Sequence, residues 1–356
     1  MPQDAKTAVV TGACGFIGSH MVEVLAKENY EVIATDHPNA LEPKGKVQKM
    51  CLEVVRSKAS RLVPADITVK GALDEVVKGA DYVFHVASIF SYSAPWQALY
   101  KVNVQGTNNI IDSLINTGTK PKRLVVWGAG GVYGIPSKEN LPLTEETPPN
   151  PSNNYLKSKW FQEFLVMERC AREGIKWTII RPTTVYGIRQ VYGVPKFYQM
   201  ANNAKVVMTP VSLKGRIPFV HVEDVCYAAL HLAKFSSGAN NVFNVNDDSQ
   251  MTTFELMRFL AMLFGKPFIP LPPIPIDSLK PALSFVAGLM ELSARQLGLA
   301  TPLEKDTVAY LGVDFVYSNE KLKKAGYQFR YPDPKPALAE IARWYVNNGL
   351  LEKGGM

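Results

Sequence analysis

Short, nearly unbroken apolar runs recur along the first half of the chain, at 7–12, 31–36, 61–67, 81–88, 123–130 and 176–182. Between most of them the apolar residues return every three or four positions. Runs of about four to eight residues without polar alternation mark strands buried on both faces, and the intervening period is that of helices packed on them. The pattern predicts an α/β fold, a doubly wound parallel sheet covered on both sides. Residues 134–154, rich in Pro, Asn and Glu, read as a surface loop, with Ser152, Asn153 and Asn154 as caps for the following helix.

Beyond Tyr186 and Gly187 the rhythm changes. Residues 188–217 read as an insertion, 218–235 as a short strand and a helix, and NVFNVND at 241–247 as a strand returning to the main sheet. Helices and proline clusters follow, notably PFIPLPPIPID at 267–277. The expected organisation is a sheet domain over 1–187, rejoined by 218–247. A smaller, mostly helical lobe is built from 188–217 and 248–356. The segment 283–299 is strongly apolar, but Glu291 and Arg295 interrupt it. It falls short of the roughly 18 uncharged residues a membrane span needs and reads as an amphipathic helix.

Composition narrows the class. Hydrophobic residues make up 47% and charged residues 20% of 356, the balance of a soluble globular enzyme. The net charge of +7 is scattered rather than gathered into an arm, so it suits anionic small molecules better than nucleic acid. Cys14, Cys51, Cys170 and Cys226 are far apart with no CxxC pair, which offers neither metal-ligand spacing nor a disulfide framework. Free thiols in a reducing cytoplasm are the expectation. The chain enters its first strand at once, which leaves no room for a signal peptide.

Chemistry enters with Gly12, Gly15 and Gly18, three apart, directly after Ala8-Val9-Val10 and at the head of a helix that begins Phe16-Ile17. Such a turn lets the backbone approach a pyrophosphate and aims free helix N–H groups at it. Asp36 ends the second strand, where a carboxylate accepts hydrogen bonds from an adenosine ribose and repels a 2′-phosphate. His37 and Pro38 follow with no arginine close by, which favours NAD over NADP. Val86, Ala87 and Ser88 close the fourth strand with residues small enough for a dinucleotide to lie on the backbone, while His85 reads as a hydrogen-bonded core imidazole. Tyr155 and Lys159 are four apart on a predicted helix and share a face. A neighbouring ammonium favours the phenolate, which makes tyrosine a usable acid/base.

These residues resemble the extended short-chain dehydrogenase/reductases of the NAD-dependent epimerase/dehydratase superfamily. TGACGFIG, Asp36, Asp66-Ile67, VFHVAS, Asn103-Val-Gln-Gly-Thr107, VYG at 132–134, YLKSK, RPTTVYG at 181–187 and HVEDV at 221–225 fall in that family's order. The resemblance implies a Rossmann-type fold with NAD as cofactor. It puts Asp66 and Ile67 near the adenine, although Asp66 reads equally well as a turn residue. Asn103 would lie toward the nicotinamide, and Pro182 to Val185 along it.

Where the family carries a catalytic Ser or Thr, four residues before the Tyr of VYG, this chain has Ala129. Ser88, Tyr92, Tyr133 and Thr184 are the candidates to replace that hydroxyl. Nucleotide-sugar members usually carry an arginine where this chain has Ile217, with Arg216 one step away. The tail 317–345 is similar instead to the 3β-hydroxysteroid dehydrogenase and sterol-carboxylate dehydrogenase branch. The implied activity is NAD-dependent interconversion of a secondary alcohol and ketone on a sterol-like or β-hydroxy/β-keto compound, with Tyr155 and Lys159 catalytic. A nucleotide-sugar epimerase or dehydratase and a non-catalytic NAD-binding protein are the alternatives. The family also implies a homodimer through helices near 96–117 and 152–173, where Trp160, Phe161, Phe164 and Leu165 supply apolar surface.

Overall fold

The computed structural model describes residues 6–297 and 305–352. Its strands are β1 (Thr7–Thr11), β2 (Glu31–Asp36), β3 (Arg61–Pro64), β4 (Tyr82–His85), β5 (Arg123–Trp127), β6 (Trp177–Pro182), β7 (Thr184–Tyr186), β8 (Val207–Pro210), β9 (Phe219–His221), β10 (Asn241–Val245) and β11 (Phe268–Leu271). Helices in the first half are α1 (Phe16–Lys27), α2 (Lys46–Lys58), α3 (Asp74–Val77), α4 (Trp96–Leu99), α5 (Gly106–Asn116) and α6 (Asn154–Glu173). Those after it are α7 (Val194–Asn203), α8 (Val222–Lys234), α9 (Thr253–Leu263), α10 (Ile276–Leu297), α11 (Lys305–Ala309), α12 (Glu320–Lys324) and α13 (Pro334–Asn347). A π-helical turn, Tyr100–Gln105, joins α4 to α5.

Seven strands form one parallel sheet in the order β10-β6-β5-β4-β1-β2-β3. Both faces are covered, as the apolar runs require. Val24, Leu25, Leu52, Val225 and Leu232 from α1, α2 and α8 pack on one face, and Val76, Ile110, Ile111 and Val166 from α3, α5 and α6 on the other. The order reverses between β1 and β4, the place where such sheets open a crevice beyond the strand ends.

The strands expected at 81–88 and 123–130 end early, at His85 and Trp127. The reason is local. After His85 the chain peels away from the ladder, and Ala87 N–H turns to donate to Thr11 Oγ1 at 3.3 Å.

The second half holds more sheet than its composition suggests. Within 188–217 lie α7 and β8, and the proline-rich stretch supplies β11, which pairs with β8 in parallel. Pro210 and Pro270 fit there because a two-stranded ribbon leaves outward-facing positions that need no donor. The apolar segment forms α10, which starts earlier than expected, at Ile276; positions 298 and 299 lie outside the described residues. Its apolar residues are not packed inward: Phe285 is 69% exposed, and Val286, Leu289 and Leu292 are also exposed, whereas Ala287 is buried. No helix among the described residues is long and apolar enough to cross a membrane.

Candidate active site

The glycine turn is shaped by contacts that exclude side chains. Gly12 has φ +66°, and a Cβ there would lie 2.6 Å from Ala87 Cα. At Gly18 a Cβ would come within 1.9 Å of the Gly12 carbonyl oxygen. Gly15 caps α1 in extended backbone with no side-chain bond to the first turn, so the N–H groups of Phe16, Ile17 and Gly18 point out of the helix uncapped. This is an anion seat of the kind a pyrophosphate takes.

Asp36 fastens that turn to the end of β2. Its Oδ2 accepts from Cys14 N–H and its Oδ1 from His37 N–H, both at 2.8 Å. Burial raises its pKa, and the two N–H bonds oppose the rise. Asp66 accepts from Thr68 N–H at 2.8 Å, the turn-capping arrangement the sequence left open, and lies 3.7 Å from His37 Nε2. Ile67 is buried, and a Cβ at Gly106 would lie 2.7 Å from its Cδ1. His85 is a satisfied core imidazole, 2.8 Å from both Thr11 Oγ1 and Thr107 Oγ1, and burial lowers its pKa to about 3.

Asn103 spends its amide on structure. Its Oδ1 accepts from Ile89 N–H at 2.8 Å, and its Nδ2 donates to Ile89 O and to Ser158 Oγ. It therefore ties the segment after β4 to α6, and its side chain is fully buried. Pro182 pairs with Val245 in the sheet, and the Val185 carbonyl accepts from Gln190 Nε2 at 2.8 Å.

Helix α6 carries Tyr155 and Lys159. Asn153 caps it by accepting from Leu156 N–H at 2.9 Å, which starts the helix where the loop signals end. Lys159 is 1% exposed and donates to Ser88 Oγ at 3.3 Å. An ammonium with three donors has capacity left for another oxygen there. Burial lowers its pKa to about 7, and Glu163 opposes the fall.

Tyr155 is also buried, and here the geometry departs from the expected activation. Burial, then Tyr92 and Tyr192, push its phenol well above the ordinary value. Burial therefore favours the phenol form of Tyr155 over the phenolate.

Sequence reasoning missed two features. The first is a buried network under α6. Arg181 Nε and Nη2 donate to Glu163 Oε2 at 3.0 and 2.7 Å, Arg181 Nη1 donates to Tyr133 OH, and Tyr133 donates to Asn244 Oδ1 at 2.7 Å. Glu163 falls one turn after Lys159 on the same face, which was a readable signal. This network also removes Tyr133 from the candidates for the missing hydroxyl. Ala129 is buried beside Tyr155 and Leu156.

The second feature is a wall of aromatic rings on the other side of Tyr155. Phe90 meets it edge-on at 5.0 Å and Tyr92 at 5.9 Å. Tyr192 stacks on Phe90 at 4.7 Å, and Tyr310 meets Tyr92 at 5.8 Å. Only Tyr92 was a candidate from the sequence, because no motif or period links these positions.

Arg216, the arginine nearest the position where sugar-nucleotide enzymes use one, is occupied. It donates from Nε and Nη2 to Asp314 at 2.7 and 2.5 Å, and from Nη1 to Gln250.

Residues 8–246 match the profile described as the NAD dependent epimerase/dehydratase family. The chain is 29% identical to the 3beta-hydroxysteroid-dehydrogenase/decarboxylase isoform 1 of Arabidopsis thaliana, over 90% of this chain and 76% of that one. It is 27% identical to the sterol-4-alpha-carboxylate 3-dehydrogenase, decarboxylating, of Mus musculus, over 91% and 87%. Among solved structures it is similar to the UDP-glucose 4-epimerase of Thermotoga maritima with UDP-glucose, at a TM-score of 0.73 and 23% identity, over 96% of this chain and 99% of that one.

Proposed function

The chain belongs to the NAD dependent epimerase/dehydratase family, with NAD as cofactor, and from that premise we propose that it interconverts a secondary alcohol and a ketone on an apolar substrate. The observation that carries this reading is the aromatic surround of Tyr155. A sugar diphosphate needs cations where this site offers rings, and Arg216 is already neutralised by Asp314.

The residues present fit the dinucleotide. Gly12 and Gly18 let the turn close against Ala87 and the Gly12 carbonyl where a Cβ would clash, and the first-turn N–H groups of α1 (Phe16, Ile17, Gly18) are open to a pyrophosphate. Asp36 would take the adenosine ribose, Asp66 and Ile67 the adenine end, and Val86, Ala87 and Ser88 the middle. Pro182 and Val185 would flank the nicotinamide, and Lys159 would reach its ribose. When bound, the nicotinamide supplies or accepts the hydride.

The protein's own part is proton handling. Tyr155, kept protonated by burial, donates to the carbonyl oxygen in the reducing direction. In the oxidising direction its phenolate, held by Lys159 in the charged form, takes the alcohol proton. Ser88, 3.3 Å from Lys159, and Tyr92, edge-on to Tyr155, are the hydroxyls proposed in place of the one missing at Ala129. Asn103 acts by positioning the segment that carries Ser88.

We assign 1–187 with 218–247 to NAD and 188–217 with 248–356 to the substrate. Support comes from β10 beside β6, and from Tyr192 and Tyr310, which both arise in the second set. Phe161 and Phe164, exposed on α6, support a homodimer through α4, α5 and α6. Four free thiols suit a reducing cytoplasm.

The test is NADH formation from NAD across hydroxysteroids, aliphatic β-hydroxy acids and nucleotide sugars. Turnover is expected with an apolar alcohol and lost in Tyr155→Phe. Unchanged turnover in that variant, or activity confined to nucleotide sugars, overturns the reading.

A further inference from the structure

Two segments distant in sequence meet over Tyr155, and they are held differently. Tyr192 lies between β7 and α7, two residues after Gln190, whose Nε2 donates to Val185 O and whose carbonyl accepts from Tyr345 OH. Val194 and Pro195, at the start of α7, are buried just beyond it. Tyr192 is thus fixed from both sides. Phe90 lies between β4 and α4, in a stretch with neither helix nor strand. Its backbone is anchored one residue earlier, where Asn103 holds both the N–H and the carbonyl of Ile89.

The Phe90 ring is 43% exposed, unusual for a large apolar side chain seated beside a buried tyrosine. It lies nearly parallel to the Tyr192 ring, at 19° and 4.7 Å between centroids, and at 78° to the Tyr155 ring. A half-exposed ring on an anchored backbone leaves by side-chain rotation alone, and the ring that takes its seat inherits both contacts. A flat ring there stacks on Tyr192 and carries its edge substituents toward Tyr155.

We propose that Tyr192 is the specificity-determining residue of this site, and that the Phe90 ring holds the place of a flat, fused-ring substrate. This rests on the reading of Tyr155 as the group that meets the reacting oxygen. It adds the shape of the substrate: a rigid ring system has a face to stack, and an open chain of equal carbon count has none. Face-to-face stacking is the only part of the apolar contact that separates the two, and it accounts for selectivity of about tenfold.

The experiment is titration calorimetry on the NAD-loaded protein with 2-tetralone, and with 2-decanone as the flexible control. Tyr192→Leu is expected to weaken 2-tetralone about tenfold and leave 2-decanone nearly unchanged, while Tyr192→Phe retains both. Phe90→Ala, which empties the seat, is expected to tighten 2-tetralone. Equal losses for both ketones in Tyr192→Leu, no loss for 2-tetralone, weaker binding in Phe90→Ala, or no 2-tetralone binding by the unaltered protein each overturns the proposal. Melting curves accompany every variant, and if Tyr192→Leu fails to fold, Phe90→Ala decides. Because binding is read without turnover, the selectivity survives even if Tyr155 proves not to be the acid/base.

Discussion

The two sides of Tyr155 are built from different materials. On the side proposed for the cofactor lie Gly12 against Ala87, Lys159 against Ser88, and Glu163 locked to Arg181, all close-packed or hydrogen-bonded. On the other side lie Phe90, Tyr92, Tyr192 and Tyr310, which meet one another through ring-to-ring contacts, with Tyr310 OH also bonded to Ser152 and Asn153. Hydrogen bonds and backbone contact fix geometry to a fraction of an ångström. Ring contacts tolerate sliding and exchange at small cost. A site divided this way holds one chemistry rigid while its substrate preference stays adjustable.

The sharpest way to break the comparison is Gly12→Val. The positive φ and the approach to Ala87 leave no room for a side chain, so NAD binding should fall below detection in calorimetry while ketone binding persists. Loss of both together would mean the two sides are not separable.

Next in size is Glu163→Gln. It leaves the buried Arg181 guanidinium without its carboxylate, a loss of about 3–5 kcal/mol. The melting temperature should drop by about 10 °C. A drop no larger than that of a surface substitution would show that the network is not what holds α6 against β6.

Lys159→Met is expected to act in two directions. Turnover should fall about a hundredfold or more. Stability should rise, because a lysine whose pKa is depressed to about 7 by burial costs the folded state as it takes up its proton. The stability this group contributes is present above the unfolded value of about 10.4 and is lost as pH falls through about 7. The variant's melting temperature should therefore exceed the parent's by about 2–4 °C near pH 7 and by little near pH 10. A difference that does not grow as pH falls would place the ammonium in water.

Much of the local geometry around the glycine turn and α6 was legible beforehand. Its glycines answer to steric limits within a few residues, Asn153 caps α6 by a local hydrogen bond, and Lys159 follows Tyr155 at the helical spacing. Strand lengths were less legible, since β4 and β5 end where the chain turns to Thr11 or into the glycine-rich turn, not where apolar residues stop. The pairing of β11 with β8 was hidden, because a proline-rich stretch carries no period from which a partner can be read.

The sequence by itself determined the sheet, the glycine turn and the Tyr155–Lys159 spacing, because each depends on neighbours a few residues away or on a repeating apolar period. Only the tertiary structure decided the state of that pair and what surrounds it. Burial depth, which raises the Tyr155 phenol and lowers Lys159 to about 7, is a property of the whole packed molecule. The aromatic wall draws residues 90 and 92 from between β4 and α4, 192 from between β7 and α7, and 310 from just after α11. Ring contacts at such separations have no local physical cause, so no local pattern announces them.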